Sequence, residues 1–211
     1  MSDDLKRDGN AFRAEDEADL VALLGSRLCH DLVSPLGAIH NGLELIELSG
    51  STSGDEMALI RQSLDAALAR IAFFRLAFGS AARDAVIPQR DLRAAISAMY
   101  RESRTEVIWR DEEDRPRSEI RLACLALLCV ETAIPWGAKI EVTRNPNAWV
   151  FHVDAKRLKI EPALWQALGR GAVLADLTGA QVQFGILARA CRALRRPVSV
   201  SADETHLSLL V

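Results

Sequence analysis

Two long helical stretches near the start of the chain restrict its possible folds more than any other feature. Apolar side chains recur at three- and four-residue spacing over residues 15–48 and again over residues 55–78, which is the period of an amphipathic α-helix. The Ser- and Gly-rich residues 49–54 interrupt this pattern, and Ser53 with Glu56 three residues later is typical of a helix N-terminus. The sequence therefore predicts an antiparallel helical hairpin.

Such a hairpin leaves apolar surface to be covered. A lone pair of helices with one apolar stripe each cannot bury both stripes well against itself. Two copies can bury them together by forming a four-helix bundle, so we predict a homodimer. The alternative is that the hairpin packs on the remainder of its own chain.

On the first helix, His30 is predicted to face away from the apolar stripe. Successive residues advance about 100° around a helix, which separates an apolar side from a side that is mostly polar or small. The side opposite the imidazole carries Val21, Leu28, Leu32, Leu36, Ile39, Leu43 and Ile46. The side around it carries Leu23, Ser26, Arg27, Ser34, Gly37 and Asn41. We therefore expect His30 to stand in water, open to a partner.

The neighbours of His30 favour a functional role over that of an ordinary surface histidine. An exposed neutral imidazole is a nucleophile that can take a phosphoryl group on one ring nitrogen. Asp31 can accept a proton or orient the ring, and the hydroxyl of Ser34, one turn on, can bond the ring or a phosphoryl oxygen. Pro35 and Gly37 favour a local bend. His30, Asp31 and Ser34 are accordingly the predicted catalytic residues.

These residues also form a recognisable motif. The string His30-Asp31-x-x-Ser34-Pro35-Leu36 resembles the H-box of two-component histidine kinases, which is His, an acid, two residues, Asn/Thr/Ser, Pro and Leu. The longer string over residues 29–39, followed by residues 41–45, is more similar to the alphaproteobacterial histidine phosphotransferases. The remainder of the chain has to separate these two classes.

Composition excludes several other functions. The 26 basic and 29 acidic residues give a net charge of -3, and the 49% hydrophobic content is that of an ordinary globular protein. Neither this charge nor any motif favours a nucleic-acid partner. The sequence shows no secretory signal and no apolar run near 18 residues, so we expect no membrane span. Four scattered cysteines, without a CxxC pair, indicate reduced thiols in a cytoplasmic protein.

The sequence divides into four parts. Residues 1–14 are polar with little periodicity and are expected to form a flexible tail, and residues 15–78 are the hairpin. Residues 79–90 are small, Ala-rich and interrupted by Gly and Pro, as in a linker. Residues 91–211 are predicted to form an α+β sandwich with helices on one face of a sheet. Its predicted helices are 91–104, 118–134, 162–168 and 181–194, and its strands are 105–110, 139–144, 149–154, 197–201 and 205–211.

From about residue 92 to the end, this order resembles the ATP-binding domain of histidine kinases, but the nucleotide-binding positions differ. Leu128 and Thr132 occupy the places of the kinase Asn-x-x-x-Asn, residues 154–156 lack the glycine of Asp-x-Gly, and residues 180–185 contain no Gly-x-Gly. A leucine offers no oxygen to a hard cation. Without small residues the backbone cannot approach phosphates closely. We therefore predict a degenerate domain that binds no ATP.

The resemblance implies a histidine phosphotransferase of a multi-step phosphorelay. The donor would be the receiver domain of a hybrid histidine kinase, the acceptors would be response regulators, and the receiver would supply Mg²⁺. No bound cofactor is expected on this chain. Besides Ser34, the expected docking face for these partners consists of Leu23, Arg27, Gly37, Ala38 and Asn41.

Two alternatives stay open at this point. One is a soluble histidine kinase with a diverged ATP site. The other is a dimeric scaffold, related to pseudokinases, in which His30 is inert. Transfer of phosphate from labelled ATP without a donor would indicate the first, and failure to accept phosphate from any receiver would indicate the second.

Overall fold

A computed structural model of the chain describes the backbone of residues 4–49, 54–80 and 85–211, and the side chains of residues 19–48, 54–80 and 85–211. The predicted hairpin is formed by α1 (Asp4–Ser49) and α2 (Gly54–Phe78). Helix α1 extends back to Asp4, through most of the segment expected to be a tail. The predicted capping residue Ser53 lies outside the described residues.

Two contacts show that the helices run antiparallel. Arg70 of α2 donates a hydrogen bond to the backbone oxygen of Asp31 at 3.2 Å, and Ile60 of α2 lies against Gly42 of α1. A Cβ atom at position 42 would lie only 2.6 Å from Cγ1 of Ile60. Glycine therefore permits the close approach of the two helices at this level.

The C-terminal region alternates helices and strands, which confirms the predicted α+β class. The sequence-based boundaries agree with the structure to within a few residues. The elements are β1 (Val86–Ile87), α3 (Gln89–Tyr100), β2 (Glu106–Trp109), β3 (Arg115–Pro116), α4 (Arg117–Ala133), β4 (Lys139–Asn145), β5 (Ala148–Asp154), α5 (Pro162–Gly169), a 3₁₀ turn (Gly179–Gln181), α6 (Val182–Ala193), β6 (Ser199–Ala202) and β7 (His206–Leu210).

Five of these strands form one sheet in the order β2-β4-β5-β7-β6. Strand β2 is parallel to β4, and the other neighbours are antiparallel. The two-residue strands β1 and β3 pair separately. The sequence-based prediction placed β1 and the start of α3 in the linker. It left β3 in the connection between the predicted strand 105–110 and the predicted helix 118–134, because a two-residue strand carries no detectable periodicity.

Helix α4 occupies the centre of the core. Its nine consecutive residues 122–130 are each 1% exposed or less, the burial expected of a helix that is covered on all sides. One hydrophobic cluster joins α4 to the sheet, to α6 and to the base of the hairpin, where Leu20, Phe73 and Phe74 are buried. The base of the hairpin therefore packs on its own chain.

Two arginines of α4 also attach the hairpin. The buried Arg117 donates to the backbone oxygens of Leu76, at 2.5 Å, and of Arg75, and Arg121 donates to that of Ala77 at 3.4 Å. The last carbonyls of a helix have no partner inside it and carry the negative end of its dipole. Cationic side chains from α4 therefore satisfy the C-terminal end of α2. Burial lowers the pKa of Arg117.

No helix among the described parts of the chain has both the length and the apolar character needed to cross a bilayer.

Candidate functional site at His30

His30 projects from α1 into solvent, as its position opposite the apolar stripe predicts. Its side chain is 89% exposed, and its Nδ1 atom lies 3.2 Å from Oδ1 of Asp31. An ionised carboxylate can only accept a hydrogen bond, so in this pair Nδ1 carries the hydrogen. The lone pair of the neutral ring is then on Nε2. The geometry leaves Nε2 as the nucleophilic nitrogen.

Asp31 is held from two sides. Its Oδ2 lies 3.3 Å from Nε of Arg27, one turn earlier on α1, and its backbone oxygen accepts from Arg70 on α2. The Asp31 side chain is 20% exposed, whereas that of its neighbour His30 is 89% exposed. A partly buried carboxylate thus orients an exposed imidazole.

Arg27 is directed inward, although the sequence placed it on a docking face. Its side chain is 12% exposed, and its Nη1 donates to the backbone oxygen of Ala180 at 2.8 Å and to Oε1 of Gln183 at 2.9 Å. These acceptors belong to the 3₁₀ turn and to α6. Arg27 therefore connects the His30 segment to the C-terminal region.

The other residues predicted for the site separate into two groups. Leu23 packs against the hydrophobic core and lies beside Gly179, where an added Cβ would be 3.3 Å from the Leu23 backbone oxygen. The remaining four residues lie on α1 beyond His30, where the first and last are exposed and the middle two are half-buried: Ser34, Gly37, Ala38 and Asn41. Only this second group extends along the helix as an accessible surface next to His30.

A cleft beside His30 contains side chains that the sequence did not place near the histidine. Glu131 and Thr132, at the end of α4, line it together with Ser26 and Asp31. Burial raises the pKa of Glu131, and the positive charges of Arg27 and Arg70 offset part of the rise. No motif marks Glu131 or Gln183, because their proximity to α1 arises from contacts between distant parts of the chain.

The positions that would bind a nucleotide are occupied by other interactions. Leu128 is fully buried in the core, and the hydroxyl of Thr132 donates to the backbone oxygen of Cys129 at 2.8 Å. One neighbouring cavity, lined by Lys159, Trp165 and others, has a volume of about 170 Å³, and the cleft beside His30, which Thr132 also lines, has a volume of about 380 Å³. The absence of ATP binding stays a prediction that these observations support.

The four thiols differ in accessibility. Cys29 is exposed next to His30, whereas Cys124, Cys129 and Cys191 are buried. Burial raises the pKa of Cys124 to about 12 and that of Cys191 to about 11. Buried neutral thiols act as small apolar side chains.

The class of protein follows from the match of a family model to the chain. The model for the histidine phosphotransferase C-terminal domain matches residues 89–206. The chain therefore belongs to the histidine phosphotransferase family, and the predicted resemblance is confirmed.

Two individual relatives agree with this assignment. The chain is 37% identical over 150 residues to the protein phosphotransferase ChpT of Brucella abortus (strain 2308), covering 68% of this chain and 71% of the relative. It also matches the 1.7 Å structure of a bacterial phosphotransferase with a TM-score of 0.75 and 30% identity, covering 92% of this chain and 95% of the other.

Proposed function

We propose that this chain is the phosphohistidine intermediate of a multi-step phosphorelay. His30 accepts a phosphoryl group from the receiver aspartate of a hybrid histidine kinase and passes it to the receivers of response regulators. The observation that carries the proposal is the exposed His30 ring with Nδ1 at 3.2 Å from Asp31. This arrangement presents an unprotonated Nε2 to a partner in solution.

The transfer balances without a net exchange of protons. The Nε2 lone pair attacks the phosphorus of the aspartyl phosphate, and the bond from phosphorus to the aspartate oxygen breaks, which releases a carboxylate. The imidazole becomes cationic with its Nδ1 hydrogen directed at Asp31, whose negative charge stabilises it. An acceptor carboxylate then attacks the phosphorus, and His30 leaves as neutral imidazole. When bound, Mg²⁺ held by the receiver would neutralise charge on the phosphoryl oxygens.

This chain uses no ATP in that cycle. The buried Leu128, which offers no oxygen ligand, supports this part of the proposal. The accessible surface beside His30 is then available for a receiver, with Ser34, Gly37 and Asn41 as its contacts along α1. The role of the chain is to position a nucleophile, because phosphoryl transfer needs mainly positioning and neutralisation of charge.

We also propose that the chain is a homodimer. The distal part of the hairpin exposes large apolar side chains on both helices, among them Leu36 at 56% and Leu68 at 55%. Residues 64, 68 and 71 share one face of α2 by helical spacing. Such surface is typical of an interface, and a second hairpin can cover it. Light scattering at micromolar concentration should give twice the 23.1 kDa chain mass, and a monomer would contradict the proposal.

The central test is incubation of the full chain with a phosphorylated receiver domain carrying labelled phosphate. We expect label on the wild type that is acid-labile and alkali-stable, as phosphohistidine is, and no label on His30→Ala. The matched control is His40→Ala, because His40 is also an exposed histidine of α1, with a side chain 72% exposed. This control should accept label at the wild-type rate.

Two results would contradict the proposed function. Label acquired from ATP without a donor would show a histidine kinase. A folded wild-type chain that accepts label from no receiver would show a scaffold in which His30 is inert.

A further inference from the structure

Gln183, at the start of α6, is a polar side chain that is completely buried, with 0% of its surface exposed. Its Nε2 donates to the backbone oxygen of Ala180 at 2.9 Å and faces that of Leu128 at 3.4 Å. Carbonyl oxygens only accept hydrogen bonds, so the amide NH₂ must point towards them. Oε1 is therefore directed towards α1.

The group that meets Oε1 is the guanidinium of Arg27. Its Nη1 donates both to Oε1 of Gln183, at 2.9 Å, and to the Ala180 backbone oxygen, at 2.8 Å. A guanidinium is a rigid planar fork, so fixing Nη1 also restricts the direction of Nε. The Nε atom lies 3.3 Å from Oδ2 of Asp31, which is an ion-pair contact without hydrogen-bond geometry.

The contacts continue from Asp31 to the reacting ring. With Oδ2 beside Arg27, the other oxygen, Oδ1, lies 3.2 Å from Nδ1 of His30. Arg70 fixes the backbone of Asp31 from α2, and Glu131 of α4 adds a carboxyl group whose pKa responds to both arginines and to Asp31. Gln183 is thus linked to the imidazole through two intervening side chains.

We propose that Gln183 is a positioning residue for His30, acting through Arg27 and Asp31. The proposal rests on the proposed function of His30 as the phosphoryl acceptor. Its consequence is that the C-terminal region, besides any structural role, helps to keep the hydrogen on Nδ1 and the lone pair on Nε2. Outer hydrogen-bond partners fix the tautomer of histidines in the same way at metal sites.

The test compares Gln183→Met with a control that makes the same substitution at an exposed glutamine, Gln166→Met, in the full-length protein. Met has nearly the volume of Gln but neither donates nor accepts a strong hydrogen bond. Gln166 is an exposed residue of α5, outside the 3₁₀ turn that holds Arg27. Thermal melting establishes that each variant is folded.

Phosphoramidate serves as the phosphoryl donor, because this small molecule does not depend on docking of a receiver. Gln183→Met should phosphorylate His30 about tenfold more slowly than the wild type, since loss of orientation at a reacting group slows transfer. The ¹⁵N chemical shifts of the His30 ring should also move towards those of an unrestrained imidazole. Gln166→Met should change neither the rate nor the ring signals.

A double-mutant cycle tests whether the link passes through Arg27. If Gln183 acts only by holding Arg27, then Gln183→Met should slow an Arg27→Met background no further. If Gln183→Met slows phosphorylation by the same factor in the wild-type and Arg27→Met backgrounds, the proposal is wrong. A folded Gln183→Met with a lowered melting temperature but wild-type rate and ring signals would also overturn it. If Gln183→Met does not fold, Arg27→Met alone must still move the ring signals.

The two proposals fail separately. If the wild type accepts phosphate from a receiver while the ring signals of Gln183→Met are unchanged, the positioning role is wrong and the proposed function stands. If those signals move while no receiver phosphorylates the wild type, His30 is positioned by Gln183 but is not a relay residue.

Discussion

Helix α4 and the distal part of the hairpin are both rich in apolar residues, but their surroundings are opposite. Residues 122–130 of α4 are at most 1% exposed, whereas Leu36, Leu43 and Leu64 of the hairpin are 56%, 48% and 45% exposed. Helix α4 finds all of its partners within one chain. The distal hairpin lacks such cover within the described parts of the chain.

The difference indicates two uses for apolar sequence in the same protein. In α4 it stabilises the fold, because burial removes the side chains from water. In the distal hairpin it remains available for a second molecule. On α1, His30 lies between the buried and the exposed apolar residues, after Leu20 and before Leu36. It can therefore be held from the C-terminal region and reached from solvent.

The largest expected effect is a difference between the two regions in how the loss of stability depends on protein concentration. Leu125→Ala, within α4, should lower the free energy of unfolding by about 2–5 kcal/mol at every concentration, because it leaves a cavity in a fully packed core. Leu64→Ala should cost less than about 0.5 kcal/mol where the chain is monomeric and more where it is dimeric. Urea denaturation at low and high protein concentration measures both. A Leu64→Ala loss that is independent of concentration would contradict the dimer.

The next effect concerns the attachment of the hairpin to α4. Arg117→Met removes the donors to the backbone oxygens of Leu76 and Arg75. The Arg75 oxygen keeps the Gly79 N–H as a donor at 3.2 Å, so the loss falls on the Leu76 oxygen and should cost about 1–3 kcal/mol. Hydrogen exchange should quicken at the end of α2. Arg90→Met is the control, because the Arg90 side chain is 86% exposed, and it should change stability by less than about 0.5 kcal/mol.

A smaller effect depends on pH through Glu131. Burial raises the pKa of this carboxyl in the folded chain above the value near 4.5 of an unperturbed group. The folded state then binds the proton more tightly than the unfolded state, so this group's contribution to stability is full below pH 4.5 and is lost as pH rises through the folded pKa. Glu131→Gln should remove that part of the pH dependence. Denaturation measures the free energy of unfolding of both proteins between pH 4.5 and 8. An equal decrease in the two proteins would contradict this role of Glu131.

The smallest perturbation uses the cysteines to report burial in the two regions. A thiol reagent added to the folded protein should react quickly with Cys29 and slowly with Cys124, Cys129 and Cys191, because only Cys29 is exposed. Mass spectrometry of the labelled peptides identifies the modified residues. Rapid labelling of Cys124 in the native protein would show that the α4 core opens more readily than its burial indicates.

Local patterns in the sequence determined many of the secondary structure elements of this protein and indicated its class. The 3.6-residue period predicts both helices of the hairpin, and the alternation of residues 139–144 and 149–154 predicts the β4–β5 hairpin. The string over residues 29–39 and 41–45 resembles the histidine phosphotransferases, and the match of the family model to residues 89–206 confirms that class. These features were accessible because each depends on residues that are close in sequence, where periodicity and motif spacing carry the information.

Only the tertiary structure decided which distant side chains surround His30. Arg27 was predicted to face a partner, but its guanidinium contacts Ala180 and Gln183, which are 153 and 156 residues away in sequence. The paired strands β1 and β3 were likewise missed. The physical reason is that burial and hydrogen bonding between remote segments depend on how whole elements pack, and a helical period specifies the direction of a side chain without specifying what it meets.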